Sequence, residues 1–196
     1  MRSHPSGALA PPKDRNTRPP GFLQTKVERL QRSGDIAGLI AILNDHADKT
    51  YERAHAAKAL ADLAERLGPS RADAIAALLP AADEPSEVRK WALLALAELH
   101  EPSALPAFRR AAHDDDWMIR IFAAHGFDRL QDHDSLVEVV ALFGDEESGV
   151  REAAAAALGS IGDGRVRPLL ESASRTDPYR WVREAAKDAL VALERP

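Results

Sequence analysis

The sequence predicts an all-α protein, a solenoid made of about five stacked helical hairpins. Hydrophobic residues make up 45% of the 196 residues but aromatic residues only 5%, so the core must consist of Ala, Leu, Val and Ile. Ala and Leu are strong helix formers. In addition, a motif in which Asp is followed six residues later by Arg recurs along the chain. Such self-similarity at a fixed period is typical of repeat solenoids.

The recurring motif marks the longer helix of each hairpin. Its Asp and Arg members are Asp83 and Arg89, Asp114 and Arg120, Asp145 and Arg151, and Asp177 and Arg183, with Arg53 in the Arg position of a less regular first copy. Successive arginines are 36, 31, 31 and 32 residues apart. These nearly equal steps predict one structural unit that is repeated five times.

A shorter amphipathic segment precedes each copy of the motif. These segments lie at residues 35–44, 71–80, 103–112, 134–143 and 165–174. Their apolar residues recur at helical spacing, and Gly, Pro, Asp and Ser stand at the joins. The predicted unit is a short helix A, a turn and a longer helix B. Helix B is expected near residues 52–66, 86–99, 116–130, 147–161 and 179–194.

The pattern resembles the HEAT-repeat superfamily, and most closely the short repeats of phycobilin-lyase-like proteins. The resemblance rests on the Asp-to-Arg spacing and on Val150 to Asp163, which match V-R-x-x-A-A-x-A-L-G-x-I-G-D nearly in full. It covers residues 34–196 and implies a right-handed α-solenoid. The repeats are expected at about 34–67, 68–100, 101–132, 133–163 and 164–196.

The N-terminal part differs from the repeats. Residues 1–20 contain five prolines and little that could be buried, which predicts a disordered tail. Residues 21–33 are expected to form a helix that caps the first repeat. The chain has no cysteine, no secretory signal and no stretch of the ~20 apolar residues that cross a bilayer. We therefore expect a cytoplasmic protein with no membrane partner.

When the B helices are aligned on their Arg, residues at the same distance from Arg form a column. Some columns are predicted to lie in the core, and the others, called open columns, are not. The residues three, seven and ten positions after Arg are apolar in every copy and are expected to form the core. The Asp and Arg columns predict a structural ladder of ion pairs between repeats. The residues one, two, five and nine positions after Arg point away from the core. In HEAT solenoids that side of helix B lines the concave surface.

The open columns turn apolar only in the middle repeats, while repeats 4 and 5 carry mostly Ala, Glu, Asp and Ser there. A contiguous exposed apolar patch marks a binding site, and aromatic anchors dominate interface energies. The candidate binding residues are Trp91, Leu94, Ile121, Phe122, His125, His55, Lys90 and Arg129. The alternative is that the superhelix buries the apolar members. Trp117 and Trp181 either line the rim of the groove or pack between repeats.

No catalytic or metal-binding constellation stands out. Glu52 and His55 have the spacing of half a carboxylate-bridged di-iron site, which needs a second copy. His113 and His133 lie beside aspartates, but at helix joins, where acidic residues cap helices. The sequence therefore predicts no catalytic residue, no metal and no cofactor.

These observations predict a non-catalytic binding or scaffold module that holds a protein, a peptide or a small apolar ligand on its concave face. Two enzymatic alternatives stay open. One is a HEAT-like DNA glycosylase for alkylated bases, which Trp117 beside Asp116 resembles, and the other is a phycobilin-lyase-like enzyme that handles a chromophore. The net charge of −5 and the lack of a Lys/Arg stripe along the open columns disfavour nucleic acid.

Overall fold

The computed structural model describes residues 25–47, 50–84 and 87–194 of the chain. All regular structure in these residues is helical, and none of it is strand. The predicted all-α class is thereby confirmed. The tail predicted for residues 1–20 lies outside the described residues, as do residues 21–24 of the expected capping helix.

Five pairs of helices follow a first helix, α1 (Lys26–Ser33). The A helices are α2 (Ile36–Asn44), α4 (Arg71–Ala81), α6 (Leu105–Ala111), α8 (Leu136–Phe143) and α10 (Arg167–Thr176). The B helices are α3 (Thr50–Asp62), α5 (Glu87–Glu98), α7 (Trp117–Leu130), α9 (Ser148–Ile161) and α11 (Arg180–Ala192). Each predicted helix B is present. The first ends at Asp62 instead of residue 66, because two tight 3-10 turns follow and bring Leu67 into the core.

Helix α1 is fixed at both ends by local hydrogen bonds. The Thr25 hydroxyl accepts from the backbone N–H of Glu28 at 3.1 Å, and the Glu28 carboxylate accepts from the backbone N–H of Thr25 at 3.3 Å. This reciprocal capping box satisfies two free donors at the helix start. Gly34 ends the helix with a φ of 69°. The Gln31 side chain donates to Asp62 at 2.9 Å and links α1 to the end of α3.

The repeats stack mainly through their B helices, and each A helix packs against the B helix of its own repeat. The result is a right-handed α-solenoid of five HEAT-type hairpins. The first predicted core column is fully buried in all five repeats, at Ala56, Ala92, Ala123, Ala154 and Ala186. Because alanine is small, neighbouring B helices approach closely. Apart from Ala54, which is buried, the open columns of the B helices hold half-buried and exposed residues. The side of the B helices that carries these columns is called the groove below.

Two glycines mark close contacts between helices. A Cβ at Gly126 would lie 2.5 Å from the ring of Phe108, a side chain that α6 buries completely against α7. A Cβ at Gly159 would lie 2.8 Å from the Cα of Ala189, so α9 and α11 touch almost backbone to backbone. Real Cβ atoms do not tolerate such distances. Glycine is therefore required at both positions for the repeats to stack as they do.

Candidate functional site

A ladder of ion pairs runs along the turns that join helices A and B. Arg120 donates to Asp145 at 2.7 and 2.9 Å, and Arg151 donates to Asp177 at 2.9 and 3.2 Å. Each of these arginines pairs with the Asp of the next repeat. Its remaining nitrogen, Nη1, donates to carbonyl oxygens in the turn of its own repeat. The Asp and Arg columns are thus structural, as their regular spacing predicted.

The first two steps of the ladder deviate from this pattern. Arg53 pairs with Glu84 at 2.7 and 2.5 Å instead of with Asp83, the column member, which pairs with Arg110 at 2.6 Å. Arg89 donates to Asp114 through Nη1 alone, at 2.6 Å, and its buried Nε has no hydrogen-bond partner. The ladder is therefore most regular between repeats 3 and 5.

Hydrogen bonding within the ladder changes the acidity of its carboxylates. Burial alone would raise the pKa of Asp145 and of Asp177. The guanidinium donors of Arg120 and Arg151, together with backbone N–H groups, outweigh burial, so the pKa of each aspartate lies below its ordinary value. Both carboxylates are therefore ionised in the folded protein at neutral pH.

The four apolar candidates form one cluster on the groove side of α5 and α7, here called the middle cluster: Trp91, Leu94, Ile121 and Phe122. All four are half-buried and pack against the core. The ring centroids of Trp91 and Phe122 are 6.3 Å apart at an angle of 45°. The Lys58 ammonium lies 5.5 Å from the centre of the Trp91 ring, within reach of a cation–π interaction.

Most of the polar candidates around the middle cluster are engaged with neighbours. The Lys90 ammonium contacts Glu87 at 2.7 Å and Asp116 at 2.9 Å. The hydrogen bonds that it donates to Glu87 and then to Asp116 raise the pKa of Lys90. Arg129 pairs with Glu98 at 3.1 Å. These pairs fix the walls of the groove but leave little free charge at its middle.

The two histidine candidates lie in different surroundings. The Nδ1 atom of His55 is 2.8 Å from the carbonyl oxygen of Tyr51, and the ring centroids of these two residues of α3 are 3.9 Å apart. His125 is exposed on α7 and lines a cavity that opens towards repeats 4 and 5. The structure therefore places His125 at this cavity, whereas His55 is not among the residues that line it.

This cavity is a trough between α7, α9 and α11, with a volume of about 560 Å³. We call it the acidic trough. Its lining consists of Ile121, His125, Gly149, Glu152, Ala153, Ala156, Gly159, Ser160, Ala185, Asp188, Ala189 and Ala192. The sequence alone did not indicate this trough, because the small side chains in the open columns of repeats 4 and 5 do not show how deep the space between the helices is. The sequence signal that could have indicated it is the pair of successive repeats, 4 and 5, whose open columns carry alanine next to acidic residues.

A second cavity of about 370 Å³ extends the acidic trough towards the turn before α11. It shares Glu152, Ala185 and Asp188 with the trough and adds Arg180, Trp181 and Glu184. The exposed Trp181 therefore lines the groove. Trp117 is similarly exposed but is not among the residues that line either cavity.

A larger cavity of about 930 Å³ lies at the edge formed by the ends of α1, α3 and α5. Several of its polar groups are already engaged with one another or with the backbone. Asp62 accepts hydrogen bonds from Lys58 and Gln31, Glu98 pairs with Arg129, and Arg71 donates to the carbonyl oxygen of Leu99. We therefore do not place the functional site at this edge.

Across residues 25–47, 50–84 and 87–194, no group of three or more His, Cys, Asp or Glu side chains is placed to hold a metal ion. Glu52 and His55 remain an isolated pair. Within the same residues, no helix combines the length and apolar character needed to span a membrane.

Comparison with known proteins identifies the family of the chain. The family model for HEAT repeats matches residues 36–124 and 111–191, which together make up most of the chain. The chain therefore belongs to the HEAT-repeat family.

Curated relatives carry an enzyme's name. Deoxyhypusine hydroxylase of Homo sapiens is 32% identical over 124 residues, which cover 62% of this chain and 41% of the relative. The Drosophila melanogaster deoxyhypusine hydroxylase is 31% identical over 125 residues, or 63% of this chain and 40% of the relative. The match thus spans about two fifths of the length of these relatives.

Solved structures with the same fold include three of particular interest. A designed armadillo repeat protein in complex with the peptide (KR)4 has a TM-score of 0.69 at 21% identity, covering 86% of this chain and 85% of that one. The complex of CpcE and CpcF of phycocyanin lyase from Nostoc sp. PCC7120 has a TM-score of 0.71 at 22% identity, covering 93% and 70%. Human deoxyhypusine hydroxylase has a TM-score of 0.52 at 20% identity, covering 86% and 76%. At these identities the likeness shows the fold alone.

The relatives correct the function expected from the sequence. Because they are named for hydroxylation, the expectation of a non-catalytic binding or scaffold module is wrong, and so is the expectation that the chain is more likely not an enzyme than an enzyme. The error has a physical cause. We inferred the absence of chemistry from the absence of a local catalytic motif, but residues that act together in a solenoid come from separate repeats and share no sequence motif.

Proposed function

We propose that this chain acts in the enzymatic modification of a side chain of a protein substrate, and that its groove holds the substrate segment during the reaction. The observation that carries the proposal is the 32% identity over 124 residues with an enzyme named for hydroxylating deoxyhypusine. The groove supports it, because a side chain is modified efficiently only when its surrounding segment is held in place.

The groove has the dimensions for an extended peptide. Neighbouring B helices pack about 9 Å apart, so four successive B helices span roughly 27 Å. An extended chain advances about 3.3 Å per residue, so this distance corresponds to about eight residues. The designed armadillo neighbour, which was solved in complex with the peptide (KR)4, supports a peptide or protein partner for a solenoid of this fold.

The middle cluster provides an anchor within the groove. Trp91 and Phe122 are half-buried, so their orientation is already fixed by packing before a substrate arrives. Holding an anchor side chain in one conformation lowers the entropic cost of binding. Lys90 and Arg129 are already paired with carboxylates, so the apolar rings of the cluster provide the anchor.

Hydroxylation needs a group that activates oxygen, and proteins use cofactors such as haem, flavin or non-haem iron for this chemistry. Non-haem iron is commonly held by two histidines and one carboxylate. Glu52 and His55 would supply one donor of each kind, but no third donor in the described part of the chain joins them. These residues do not fit such a metal site, so we assign no chemical step to the side chains described.

The test adds a peptide that carries deoxyhypusine, under air, to an extract of cells that lack the chain, with and without the purified full chain. The extract supplies the oxygen-activating group that the described side chains do not hold. We expect the peptide to gain the mass of one oxygen atom by mass spectrometry only when the chain is added. Trp91→Ala should slow this gain, whereas Trp117→Ala, an exposed tryptophan outside the two cavities, should not. A peptide that binds in the groove but gains no oxygen when the chain is added would contradict the enzymatic proposal.

A further inference from the structure

The acidic trough has a floor of methyl groups and methylenes. Ala153, Ala156, Ala185 and Ala192 occupy the open columns of α9 and α11, where other repeats place larger side chains. The close contact at Gly159 brings these two helices together beneath the floor. The floor is therefore apolar, recessed and wide enough for a long unbranched side chain to lie on it.

The carboxylates of the trough are free, unlike those elsewhere in the groove. Asp62 is paired with Lys58, Glu98 with Arg129, and Asp116 with Lys90. Asp128, beside the trough, accepts a hydrogen bond from the Ser160 hydroxyl.

Glu152 and Asp188, by contrast, are exposed and make no hydrogen bond or ion pair within the described residues. Both line the trough and its extension. The groove thus concentrates its unpaired negative charge over the apolar floor, where a ligand with a complementary charge gains most.

An aromatic ring stands at the far end of this surface. Trp181 is 48% exposed, lies 4.8 Å from the ring of Tyr179, and lines the same cavity as Glu152 and Asp188. The face of a tryptophan ring attracts cations. Arg180 and the Glu184–Lys187 pair also border this end. The pair is neutral, so the two negative charges of Glu152 and Asp188 exceed the one positive charge of Arg180, and this surface keeps an excess of negative charge.

On the basis of the function proposed above, we infer that the acidic trough binds a lysine or arginine side chain of the substrate segment. Such a side chain has an aliphatic stem, which packs on the alanine floor, and a cationic head, which reaches the carboxylates. An uncharged aliphatic side chain can pack on the alanine floor but leaves both carboxylates without a partner. An acidic side chain is repelled.

The experiment measures binding of fluorescently labelled octapeptides to the full chain by fluorescence anisotropy. The probe alternates alanine with lysine, and a second peptide replaces each lysine with norleucine, which keeps the stem and removes the charge. The test variant is Glu152→Gln with Asp188→Asn. The matched control is Asp73→Asn with Glu146→Gln, which removes two negative charges at exposed positions outside the trough.

We expect the lysine peptide to bind the test variant about 5- to 10-fold more weakly than the unmodified chain, and the control variant less than 2-fold more weakly, in line with the modest strength of exposed ion pairs. Equal binding of the norleucine and lysine peptides would overturn the inference, as would equal effects of the two double variants. If Trp91→Ala abolishes peptide binding while the test variant retains it, the groove proposal stands and the trough inference fails.

Discussion

Arg120 holds the carboxylate of Asp145 in the following repeat through two parallel hydrogen bonds, Nε to Oδ2 at 2.7 Å and Nη2 to Oδ1 at 2.9 Å. Its Nη1 atom donates at the same time to the carbonyl oxygen of Asp114 at 2.8 Å. One side chain therefore ties the turn of its own repeat to the turn of the next. Because these turns start the B helices, the contact fixes the spacing on which the groove depends.

Replacing Arg120 should destabilise the solenoid. Arg120→Ala leaves a half-buried carboxylate and two carbonyl oxygens without their donor, and the expected loss is about 1–3 kcal/mol in the free energy of unfolding by urea. Arg120→Lys should recover only part of it, because an ammonium cannot make the two parallel bonds. As a control, Arg129→Ala removes the more exposed pair with Glu98 and should cost at most about 1 kcal/mol. Equal losses for Arg120→Ala and Arg129→Ala would show that the ladder has no special role.

The ladder also predicts how stability depends on pH. The pKa of Asp145 and of Asp177 is lower in the folded chain than in the unfolded chain, so the unfolded state binds more protons in acid. Their contribution to stability is complete above the unfolded pKa and is lost as pH falls through the folded pKa. Urea unfolding between about pH 5 and pH 2 should show this loss. Asp145→Asn should make the dependence shallower, and an unchanged slope would contradict the assignment.

Gly126 provides a test of the packing between helices A and B. A methyl group at this position would lie 2.5 Å from the ring of Phe108, which cannot move because it is completely buried. Gly126→Ala should therefore lower the free energy of unfolding by about 1–3 kcal/mol, the usual cost of overpacking. Gly164→Ala is the control, since an added Cβ there meets no atom within 4 Å. If Gly126→Ala left the free energy of unfolding unchanged, α6 and α7 would have to lie further apart than in the structure.

Much of this architecture was predictable from the sequence because it depends on spacing. The Asp-to-Arg motif fixed where each helix B begins, since the Arg must reach both its own turn and the next one. It could not predict that Glu84 replaces Asp83 as the partner of Arg53, because the two carboxylates are adjacent in sequence and their orientation depends on the fold around them.

The candidate site was predictable only in part. The middle cluster was visible because Trp91 and Phe122 are large apolar residues in columns that face the groove. The acidic trough was not, because its depth comes from the closeness of α9 and α11, a distance set by Gly159 and Ala189 in different repeats. Which carboxylates remain unpaired, such as Glu152, depends on side-chain positions that no spacing specifies.

Trp91→Ala should affect binding more than folding. Because the ring is half-buried and touches Phe122 and Lys58, its removal should cost some stability, within about 1–2 kcal/mol. The loss in affinity for a bound peptide should be about 2 kcal/mol or more, as for an interface anchor. Urea unfolding and peptide affinity are to be measured on the same preparation. A variant that unfolds far more easily but binds as before would place Trp91 in the core alone.

The central claim is that the groove, and no other face of the solenoid, receives the peptide. Oxidative footprinting with hydroxyl radicals tests it directly, because the rate of tryptophan oxidation reports how far each ring is exposed. On addition of the alternating alanine–lysine octapeptide, Trp91 and Trp181 should become protected, while Trp117 should react at an unchanged rate. Protection of Trp117 with no change at Trp91 and Trp181 would contradict the account.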